Sequence, residues 1–260
     1  MRLARFETTD SEGPRFGAVV DAEVVEFEPG VSVGALLSST ERPEATGPRR
    51  PLESVTLLAP VVPRCVFGVG LNYRAHIEES NKETPTVPEI FTKGPNTISA
   101  TGAPIARGTA GQLDYEGELA IVIGAGGKVG GYAVANDVSA RDWQWGDGQW
   151  WRAKGSDGFG PLGPWVTTVE EAPDPAMMRL RTRVNDEPRQ DTSVGDLLFD
   201  VTEIVDWIAA AVALEPGDVI LSGTPSGVGA AMDPQVWLEP GDVVRVEIDG
   251  LGAIENEVVA

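Results

Sequence analysis

Acidic side chains stand directly in front of an apolar run in the segment from Leu113 to Gly124. The apolar run is typical of a buried strand, and side chains two residues apart on a strand point to the same face. Glu116 and Glu118 should therefore lie side by side, with Asp114 on the same face. Two carboxylates beside an apolar surface repel each other, so they need water, a shared proton or a cation. If the partner is a cation, oxygen ligands favour a hard ion such as Mg²⁺, Mn²⁺ or Ca²⁺. The alternative is an edge strand with a solvated acidic face, which would show the same spacing.

A further carboxylate, Asp137, follows another short apolar run, Val134 to Asn136. We expect this residue where a strand runs into a turn, which is a common location for functional groups. The addition of Asp137 favours a metal site over a solvated strand.

The charge of the chain limits its partners. Its 260 residues include 40 acidic and 20 basic ones, for a formal net charge of −20. Such a charge repels nucleic acid and anionic lipid, so neither is expected as a partner. An anionic substrate can bind only where a local cation reverses the field. The lone histidine excludes a zinc site built from several histidines.

Cys65 is the only cysteine, so an intrachain disulfide is impossible, which fits a reducing compartment. It lies in an apolar run and is expected to be a buried, unreactive thiol. The N-terminus has no signal-peptide-like stretch, and no apolar run reaches the roughly 18 residues of a membrane-spanning helix. We therefore expect a soluble, cytoplasmic protein.

The first 58 residues are predicted to form a small β-rich module. Two strands, Arg15–Val20 and Glu23–Phe27, flank a two-residue turn. Residues 33–39 are expected to form a short helix. The stretch 41–51 is rich in proline and charge and is predicted to be a linker.

Residues 59–260 are predicted to form a second unit that is mostly β. Two nearly repeated segments, Leu214–Ile220 and Leu238–Val244, each place Pro-Gly where a type II turn leads into a strand. The clearest helix is Asp200–Val212, whose apolar residues recur at helical spacing. The predicted fold class is α+β, mostly β with some α.

Six short motifs occur in order along this second unit. They are Gly70-Leu71-Asn72-Tyr73-Arg74-Ala75-His76, Phe91-Thr92-Lys93, Asp114-Tyr115-Glu116-Gly117-Glu118-Leu119, Asn136-Asp137-Val138-Ser139-Ala140-Arg141-Asp142-Trp143-Gln144, Lys154-Gly155-Ser156-Asp157 and Ser222-Gly223-Thr224-Pro225-Ser226-Gly227-Val228-Gly229. In this order they make the chain similar to the fumarylacetoacetate hydrolase family in its shorter bacterial and mitochondrial form. Each motif is weak alone, but six in the right order are specific.

The resemblance implies a mixed β-roll around the active site and a homodimer. It also implies that Glu116, Glu118 and Asp137 hold Mg²⁺ or Mn²⁺, with Ca²⁺ as a non-productive occupant. Water or substrate would complete the shell. The longer hydrolase that names the family has an additional aspartate near the tyrosine of the first motif. Here the neighbour is Asn72, so a shell of three carboxylates is expected.

The resemblance assigns further residues to the same pocket. Lys154 and Arg141 would bind the substrate carboxylate or stabilise charge beside the ion, Lys154 as a catalytic residue. His76 and Glu79 would form a catalytic, water-activating pair on a mobile lid over about residues 72–88. The remaining substrate-binding positions would be Gln144, Lys93, Thr224 and Tyr73.

The spacing of these residues is compatible with the implied roles. His76 and Glu79 are three residues apart, so on a helix they share a face and can form a hydrogen bond. Arg141 and Gln144 have the same spacing, which suits joint contact with one ligand. The ordinary alternatives are a solvated histidine, a flexible surface lysine at Lys154 and a surface turn around Arg141.

One connection departs from the family pattern. Only residues 125–130 join the two strands that carry the ligands, where family members usually have a longer, partly helical connection. A tight glycine hairpin is expected there instead.

A 2-oxo acid can chelate a metal ion through its carboxylate and oxo groups, which stabilises an enolate. Attack by water two carbons away breaks a C–C bond, loss of carbon dioxide is decarboxylation, and return of the proton elsewhere is isomerisation or tautomerisation. The His76–Glu79 pair favours hydrolysis of a small 2,4-dioxo acid of the acylpyruvate or fumarylpyruvate type. Oxaloacetate decarboxylation and isomerisation of 2-hydroxyhepta-2,4-dienedioate or 5-carboxymethyl-2-hydroxymuconate are alternatives on the same site. A metal-binding relative without turnover is the non-enzymatic alternative.

Four tryptophans follow the arginine motif, namely Trp143, Trp145, Trp150 and Trp151. Packing in the core or in a dimer interface is the expected role of these side chains, and an apolar substrate pocket is the alternative.

Overall fold

A computed structural model describes residues 1–9, 12–39 and 41–260. Strands dominate this part of the chain, and their bounds are β1 (Arg2–Glu7), β2 (Arg15–Val20), β3 (Glu23–Glu26), β4 (Arg49–Pro51), β5 (Thr56–Leu58), β6 (Val66–Gly70), β7 (Glu89–Lys93), β8 (Ile98–Ser99), β9 (Ile105–Ala106), β10 (Leu113–Asp114), β11 (Gly117–Ile123), β12 (Val129–Asn136), β13 (Ser139–Ala140), β14 (Gly160–Thr168), β15 (Arg179–Val184), β16 (Glu187–Ser193), β17 (Val219–Leu221), β18 (Val243–Ile248) and β19 (Gly252–Val259). The α-helices are short: α1 (Val33–Leu37), α2 (Arg74–Glu79), α3 (Arg141–Gly146), α4 (Trp151–Gly155) and α5 (Val201–Ala209). The predicted α+β class, mostly β, is confirmed.

Within the described ranges, every helix is too short or too polar to cross a lipid bilayer.

The strands form a twelve-stranded sheet, a five-stranded sheet and a two-stranded pair. The large sheet has the order β4-β3-β2-β1-β14-β12-β11-β17-β6-β7, with β5 and β8 pairing beside it. The smaller sheet has the order β16-β15-β18-β19-β9, and β10 pairs with β13. The central position of β11 and β12 explains why their sequences are apolar along nearly their whole length.

Both faces of the β11–β12 hairpin are buried. Leu119 and Ile121 pack in one core cluster with residues of the five-stranded sheet such as Val246. Ala120 and Val122 point to the opposite side, into a second cluster that includes helix α1. Because adjacent side chains on a strand face opposite sides, this double burial requires a continuous apolar run rather than alternation.

The hairpin connection is as tight as the sequence predicts. A Cβ added to Gly124 would lie 2.7 Å from the Cα of Gly130, so neither glycine can carry a side chain without displacing the other strand. The antiparallel register then places Gly117 opposite Asn136. As a result, the residues just before β11 and just after β12 meet at one end of the hairpin.

The N-terminal residues join the same large sheet. Strand β1 pairs with β14, with Leu3 opposite Val166, and the predicted β2–β3 hairpin forms with Val20 opposite Glu23. The predicted linker is wrong at its C-terminal end, because residues 49–51 form β4 and pair with β3. Residues 41–48 have no regular secondary structure.

The predicted helices are present but shorter. Helix α5 begins after Asp200, which forms a capping box with Glu203, and it ends at Ala209 rather than at Val212. Val212 is exposed and therefore contributes no core contact that would extend the helix. Helix α1 ends at Leu37, with Ser38 as its C-cap.

The two Pro-Gly turns have the expected type II geometry. Gly217 and Gly241 have φ values of 92° and 98°, which only glycine adopts without strain. The carbonyl of Glu215 accepts a hydrogen bond from the N–H of Asp218 at 3.0 Å, which closes the first turn. Each turn leads directly into a strand, β17 or β18.

Candidate active site

A cavity of about 400 Å³ opens beside the end of the β11–β12 hairpin. Most of the residues that the sequence assigns to a site line this cavity, namely His76, Glu79, Glu116, Glu118, Arg141, Gln144, Lys154 and Thr224. Asp137, Lys93 and Tyr73 lie behind its wall.

Three carboxylates converge at the hairpin end. Oxygen atoms of Glu116, Glu118 and Asp137 all lie within 4.8 Å of one another, and the three residues are buried. The backbone N–H of Asp137 donates to the carbonyl of Glu116 at 2.8 Å, which ties the two chain ends together. Asn136 adds a second link, because its Oδ1 accepts from the N–H of Glu116 at 2.9 Å.

Lys154 joins two of the carboxylates. Its Nζ donates to Glu116 Oε2 at 2.6 Å, to Asp137 Oδ2 at 2.7 Å and to Ser139 Oγ at 2.8 Å. Burial opposes the charge of this ammonium group, but the carboxylates of Asp137 and Glu116 outweigh burial and raise its pKa. All three N–H groups are used, so Lys154 must give up one of these bonds to contact a substrate.

Glu116 is ionised because of its cationic neighbours. Burial alone would raise its pKa, but Lys154 and then Arg141 lower the pKa to about 2. Arg141 approaches Glu116 Oε1 at 2.6 Å.

Glu118 has a different environment. Its Oε2 accepts a hydrogen bond from the N–H of Gly223 at 2.7 Å. In the described part of the chain, no lysine or arginine nitrogen lies within 4.0 Å of this carboxylate. Burial, together with repulsion from Asp137 and Glu116, raises the pKa of Glu118 well above its usual range.

This donor set fits a divalent cation. Three convergent carboxylates supply hard oxygen ligands of the kind that Mg²⁺, Mn²⁺ and Ca²⁺ prefer. Within the described ranges, cationic side chains pair with Glu116 and Asp137 but none pairs with Glu118, so a bound ion would relieve the repulsion within the cluster. Glu116, Glu118 and Asp137 are the residues that would hold it.

Lys93 contacts the cluster from the side away from the cavity. Its Nζ forms an ion pair with Asp137 Oδ1 and donates to the carbonyl of Phe159 at 2.9 Å. Burial lowers the pKa of Lys93, Asp137 opposes this shift, and nearby Lys154 reinforces it. Lys93 therefore holds Asp137 in place in this structure rather than lining the pocket.

Arg141 and Gln144 contact each other, as their helical spacing allows. They lie on helix α3, and the Arg141 NH1 group donates to Gln144 Oε1 at 2.8 Å. The Nε group of Arg141 donates to Asp114 Oδ2 at 2.8 Å. The guanidinium group thus lines the cavity on one side and contacts the buried carboxylate of Asp114 on the other.

The predicted position of Asp114 beside the two glutamates is wrong. The strand is interrupted at residues 115–116, so Asp114 belongs to β10 in the small two-stranded pair. Its carboxylate accepts hydrogen bonds from Arg141 and from the backbone N–H groups of Gly229 and Ala230. Asp114 therefore orients Arg141 and the 229–230 turn and is not part of the three-carboxylate cluster.

His76 and Glu79 form the expected pair on helix α2. The distance from His76 Nδ1 to Glu79 Oε1 is 2.7 Å, and both side chains line the cavity. The second carboxylate oxygen of Glu79 accepts from the N–H of Gly227 at 2.9 Å. A carboxylate accepts but does not donate, so in the neutral imidazole the proton is on Nδ1 and Nε2 is the nitrogen available as a base.

Two other predicted pocket residues have contrasting positions. Thr224 lines the cavity, and its hydroxyl donates to the carbonyl of Gly117 at 3.0 Å. Tyr73 is 1% exposed, precedes α2 and does not reach the cavity. Burial raises the pKa of Tyr73, and its hydroxyl has no hydrogen-bond partner among the residues that the structure describes.

Sequence reasoning did not identify Gln190. This buried residue donates to Thr224 Oγ1 at 2.8 Å and accepts from the N–H of Gly117 at 3.0 Å, so it connects the five-stranded sheet to the site. It belongs to none of the six motifs, and its strand has an exposed, charged neighbourhood. No local signal in the sequence distinguishes it from a surface glutamine.

The tryptophans do not behave as one group. Trp145 and Trp150 line the cavity, and Trp150 packs edge-to-face on Phe91 with ring centroids 5.4 Å apart. Trp143 packs against the core, whereas Trp151 is 71% exposed. The expected core role is therefore met by Trp143, whereas Trp145 and Trp150 lie where the pocket alternative would place them.

Asn72 and Cys65 have structural surroundings. Asn72 is completely buried and bridges Ser222 and Phe199 through their backbone groups, which fastens the start of the predicted lid. Cys65 is half-buried rather than fully buried and packs beside the core.

The family assignment rests on most of the chain. The family model described as "Fumarylacetoacetate (FAA) hydrolase C-terminal" matches residues 65–259, and a model described as "Rv2993c-like, N-terminal" matches residues 1–60. The chain therefore belongs to the fumarylacetoacetate hydrolase family. The predicted boundary at residues 58 and 59 lies close to the division between these two matches.

One curated relative and three solved structures carry informative names. The chain is 39% identical over 290 residues to "Oxaloacetate tautomerase FAHD2A, mitochondrial" of Bos taurus, with 100% of this chain and 92% of the relative covered. It is 40% identical to a 5-carboxymethyl-2-hydroxymuconate delta-isomerase from Mycobacterium smegmatis, with a TM-score of 0.84 and coverage of 100% and 99%. A fumarylacetoacetate hydrolase from Exiguobacterium antarcticum has a TM-score of 0.90 at 39% identity, with the same coverage.

The third solved structure was determined with ligands. It is a maleylpyruvate hydrolase from Sphingobium in complex with manganese(II) and pyruvate, 27% identical with a TM-score of 0.78 and coverage of 100% and 99%. The names of these relatives describe enzymes of three reaction types, namely tautomerase, isomerase and hydrolase.

Proposed function

We propose that the protein is a divalent-metal-dependent enzyme that moves a proton on a small 2-oxo dicarboxylic acid, that is, a tautomerase or isomerase of the oxaloacetate or hydroxymuconate type. One observation carries the proposal: a cluster of three buried carboxylates, of which Glu118 has no cationic partner among the described residues, opens through Glu116 and Glu118 onto the cavity that the His76–Glu79 pair lines. Mg²⁺ and Mn²⁺ both suit this donor set. When bound, such an ion supplies a Lewis acid that favours the enolate form of a 2-oxo acid.

The side chains of the cavity have separate tasks in this proposal. Arg141, oriented by Asp114 and Gln144, binds the carboxylate next to the 2-oxo group. His76 removes the proton from the neighbouring carbon through Nε2 and returns it, while Glu79 keeps the imidazole in the required tautomer. Lys154 exchanges one of its carboxylate contacts for the substrate and stabilises the negative charge that develops there.

The rest of the cavity supports a substrate with a second acidic group. Trp150 and Phe91, packed edge-to-face, give the cavity an apolar aromatic side, which suits an unsaturated carbon chain. Lys82 also lines the cavity and is exposed at its edge, close to the end of α2. A cation in this position favours a dicarboxylate over a monocarboxylate in a protein whose net charge is −20.

Relatives named for tautomerisation or isomerisation match the whole chain, and the Exiguobacterium antarcticum hydrolase matches it at the same identity, so the chemistry of the base rather than the identity favours proton transfer. The Bos taurus tautomerase and the Mycobacterium smegmatis isomerase are 39% and 40% identical, and each match covers all of this chain. Proton transfer needs no water molecule between the base and the substrate. The His76–Glu79 pair is sufficient for it.

Hydrolysis of an acylpyruvate is the second candidate. The same imidazole can activate water, and the Sphingobium hydrolase binds manganese and pyruvate on a related fold. The first step at the 2-oxo group is common to both reactions, so the substrate determines which one follows.

The test is a panel of 2-oxo acids assayed with protein that has been stripped by a chelator and then given Mg²⁺ or Mn²⁺. Oxaloacetate enol-to-keto conversion is followed by loss of the enol absorbance, and acylpyruvate cleavage is followed by mass analysis of the products. We expect activity that needs the ion and is higher for dicarboxylates than for matched monocarboxylates. Equal activity without an ion, or ion binding with no turnover of any panel member, would refute the proposal.

A further inference from the structure

The carboxylate of Glu79 is held at both of its oxygens. Oε1 contacts His76 Nδ1 at 2.7 Å, and Oε2 accepts from the N–H of Gly227 at 2.9 Å. A carboxylate fixed at both ends cannot rotate away from the imidazole. The direction of His76 therefore depends on the position of Gly227, which lies 148 residues from Glu79.

Only glycine can occupy position 227. Its φ is 102°, in the region that side chains disfavour, and a Cβ would lie 2.1 Å from the carbonyl oxygen of Arg189. Its N–H, which contacts Glu79, belongs to the 226–227 peptide group, whereas its carbonyl belongs to the 227–228 peptide group, and rotation about the backbone bonds of a glycine can uncouple the two. A contact to the carbonyl limits this rotation and so helps to hold the N–H toward Glu79.

Tyr115 supplies this contact. Its hydroxyl donates to the carbonyl of Gly227 at 2.9 Å, and the side chain is 1% exposed. A carbonyl oxygen carries no proton, so the hydroxyl is the donor in this contact. Tyr115 directly precedes Glu116 in the sequence, so the segment that supplies a metal-site carboxylate also fixes Gly227.

We propose that Tyr115 is a positioning residue, which anchors Gly227 through its carbonyl, limits rotation of the Gly227 backbone and thereby orients the His76–Glu79 pair relative to the three-carboxylate cluster. The inference rests on the proposed function only in its prediction for activity. The contact chain from Tyr115 through Gly227 and Glu79 to His76 is a statement about geometry and can be tested without a substrate.

The first test uses the fact that His76 is the only histidine. Its Nδ1–H proton gives a single assignable signal in a ¹H–¹⁵N spectrum of the full chain. We expect this signal to be sharp in the wild type, lost in Glu79→Gln and broadened or lost in Tyr115→Phe. In the matched control Tyr132→Phe, which removes a hydroxyl from a neighbouring buried strand, the signal should stay sharp. A sharp, unshifted signal in Tyr115→Phe would overturn the inference, whether or not the protein is active on the panel.

The second test is a double-mutant cycle on the activity. Removal of one hydrogen bond that orients the base should lower kcat about 10-fold, with KM and Mn²⁺ affinity changed less than about 2-fold. In a His76→Ala background, Tyr115→Phe should have no further effect, because its influence passes through the imidazole. An equal loss in both backgrounds would indicate a merely structural role and contradict the inference.

The two tests also separate the inference from the proposed function. If His76→Ala leaves the rate unchanged, the role of the pair in the proposed function fails, while the spectrum still decides the contact chain. If His76→Ala abolishes activity and Tyr115→Phe changes neither the rate nor the spectrum, the inference fails and the proposed function stands.

Discussion

Glu26 and Glu118 are both buried glutamates on strands of the same twelve-stranded sheet, yet their surroundings are opposite. Glu26 is 6% exposed and Glu118 is 2% exposed. Arg50 Nε lies 2.6 Å from one oxygen of Glu26, and Arg15 NH1 lies 2.8 Å from the other. Burial would raise the pKa of Glu26, but the two arginines outweigh it and hold the pKa below its usual range. The pKa of Glu118 is shifted in the other direction.

The difference shows which buried charge has a structural role and which is available for chemistry. A buried carboxylate is costly unless it is paired, and the β2–β4 region meets this requirement with two arginines. At the end of the β11–β12 hairpin, the Glu118 carboxylate has no such arginine or lysine partner among the described residues. Such uncompensated groups are characteristic of functional sites, because a ligand rather than the protein completes them.

The largest expected effect follows from Glu118→Gln. This change removes a proposed ligand, and with it the cost of burying a carboxylate and its repulsion from Asp137 and Glu116. Mn²⁺ affinity should therefore fall at least about 100-fold, and activity should fall with it. Without the ion, the free energy of unfolding should be unchanged or higher. Calorimetric titration with Mn²⁺ and denaturant unfolding measure the two quantities. Unchanged Mn²⁺ affinity would remove the contrast between the two glutamates.

His76→Ala separates ion binding from proton transfer, because it leaves the three carboxylates in place. We expect kcat to fall on the order of 100-fold and Mn²⁺ affinity to change less than about 2-fold. The measurement is steady-state kinetics on the best substrate of the panel, with Mn²⁺ titrated in parallel. A parallel loss of affinity and rate would mean that His76 belongs to the ion site rather than to a separate base.

Glu26→Gln should have a moderate effect on stability and none on chemistry. It leaves Arg15 and Arg50 without a full countercharge, but both arginines are partly solvated, with side-chain exposures of 35% and 27%. The free energy of unfolding should therefore fall by about 1–2 kcal/mol. Urea unfolding measures this loss of stability. In contrast to Glu118→Gln, this variant should bind Mn²⁺ with the affinity of the wild type. A loss of Mn²⁺ affinity would show that the two regions are coupled.

The smallest expected effect is the pH dependence of the stability difference between the wild type and Glu26→Gln. The pKa of Glu26 is lower in the folded than in the unfolded chain, where it is about 4.3. Its contribution is therefore complete above about pH 4.3 and is lost as the pH falls through the lower, folded pKa. Melting temperatures of the wild type and Glu26→Gln should differ at pH 6, and the difference should shrink as the pH is lowered through the folded pKa of Glu26. A difference that widens on acidification would contradict the direction of the shift.

Local patterns predicted a large part of the fold and of the site. The apolar runs of β11 and β12, the type II turns at Gly217 and Gly241 and the start of α5 follow from backbone periodicity and turn chemistry. The His76–Glu79 contact follows from helical spacing. The convergence of Asp137 with the two glutamates needed one further element, the tight hairpin at residues 124–130.

The failures occurred where a local pattern was extended past a break in the backbone. Asp114 has the two-residue spacing of Glu116 and Glu118, but the strand is interrupted between them, and its carboxylate pairs with Arg141 instead. Residues 49–51 have the composition of a linker and nevertheless complete a sheet edge. In both cases the partner strand, not the segment itself, decided the structure.

The sequence by itself determined the residue types, the local spacing and the net charge of −20, and with them the hard-ion chemistry that three carboxylates support. Only the tertiary structure decided which carboxylate lacks a cation. Lys93 lies 44 residues from Asp137, and Lys154 lies 38 residues from Glu116, yet each forms an ion pair there. Contacts over such separations depend on how whole sheets pack, whereas periodicity reports only on neighbours along one strand or helix.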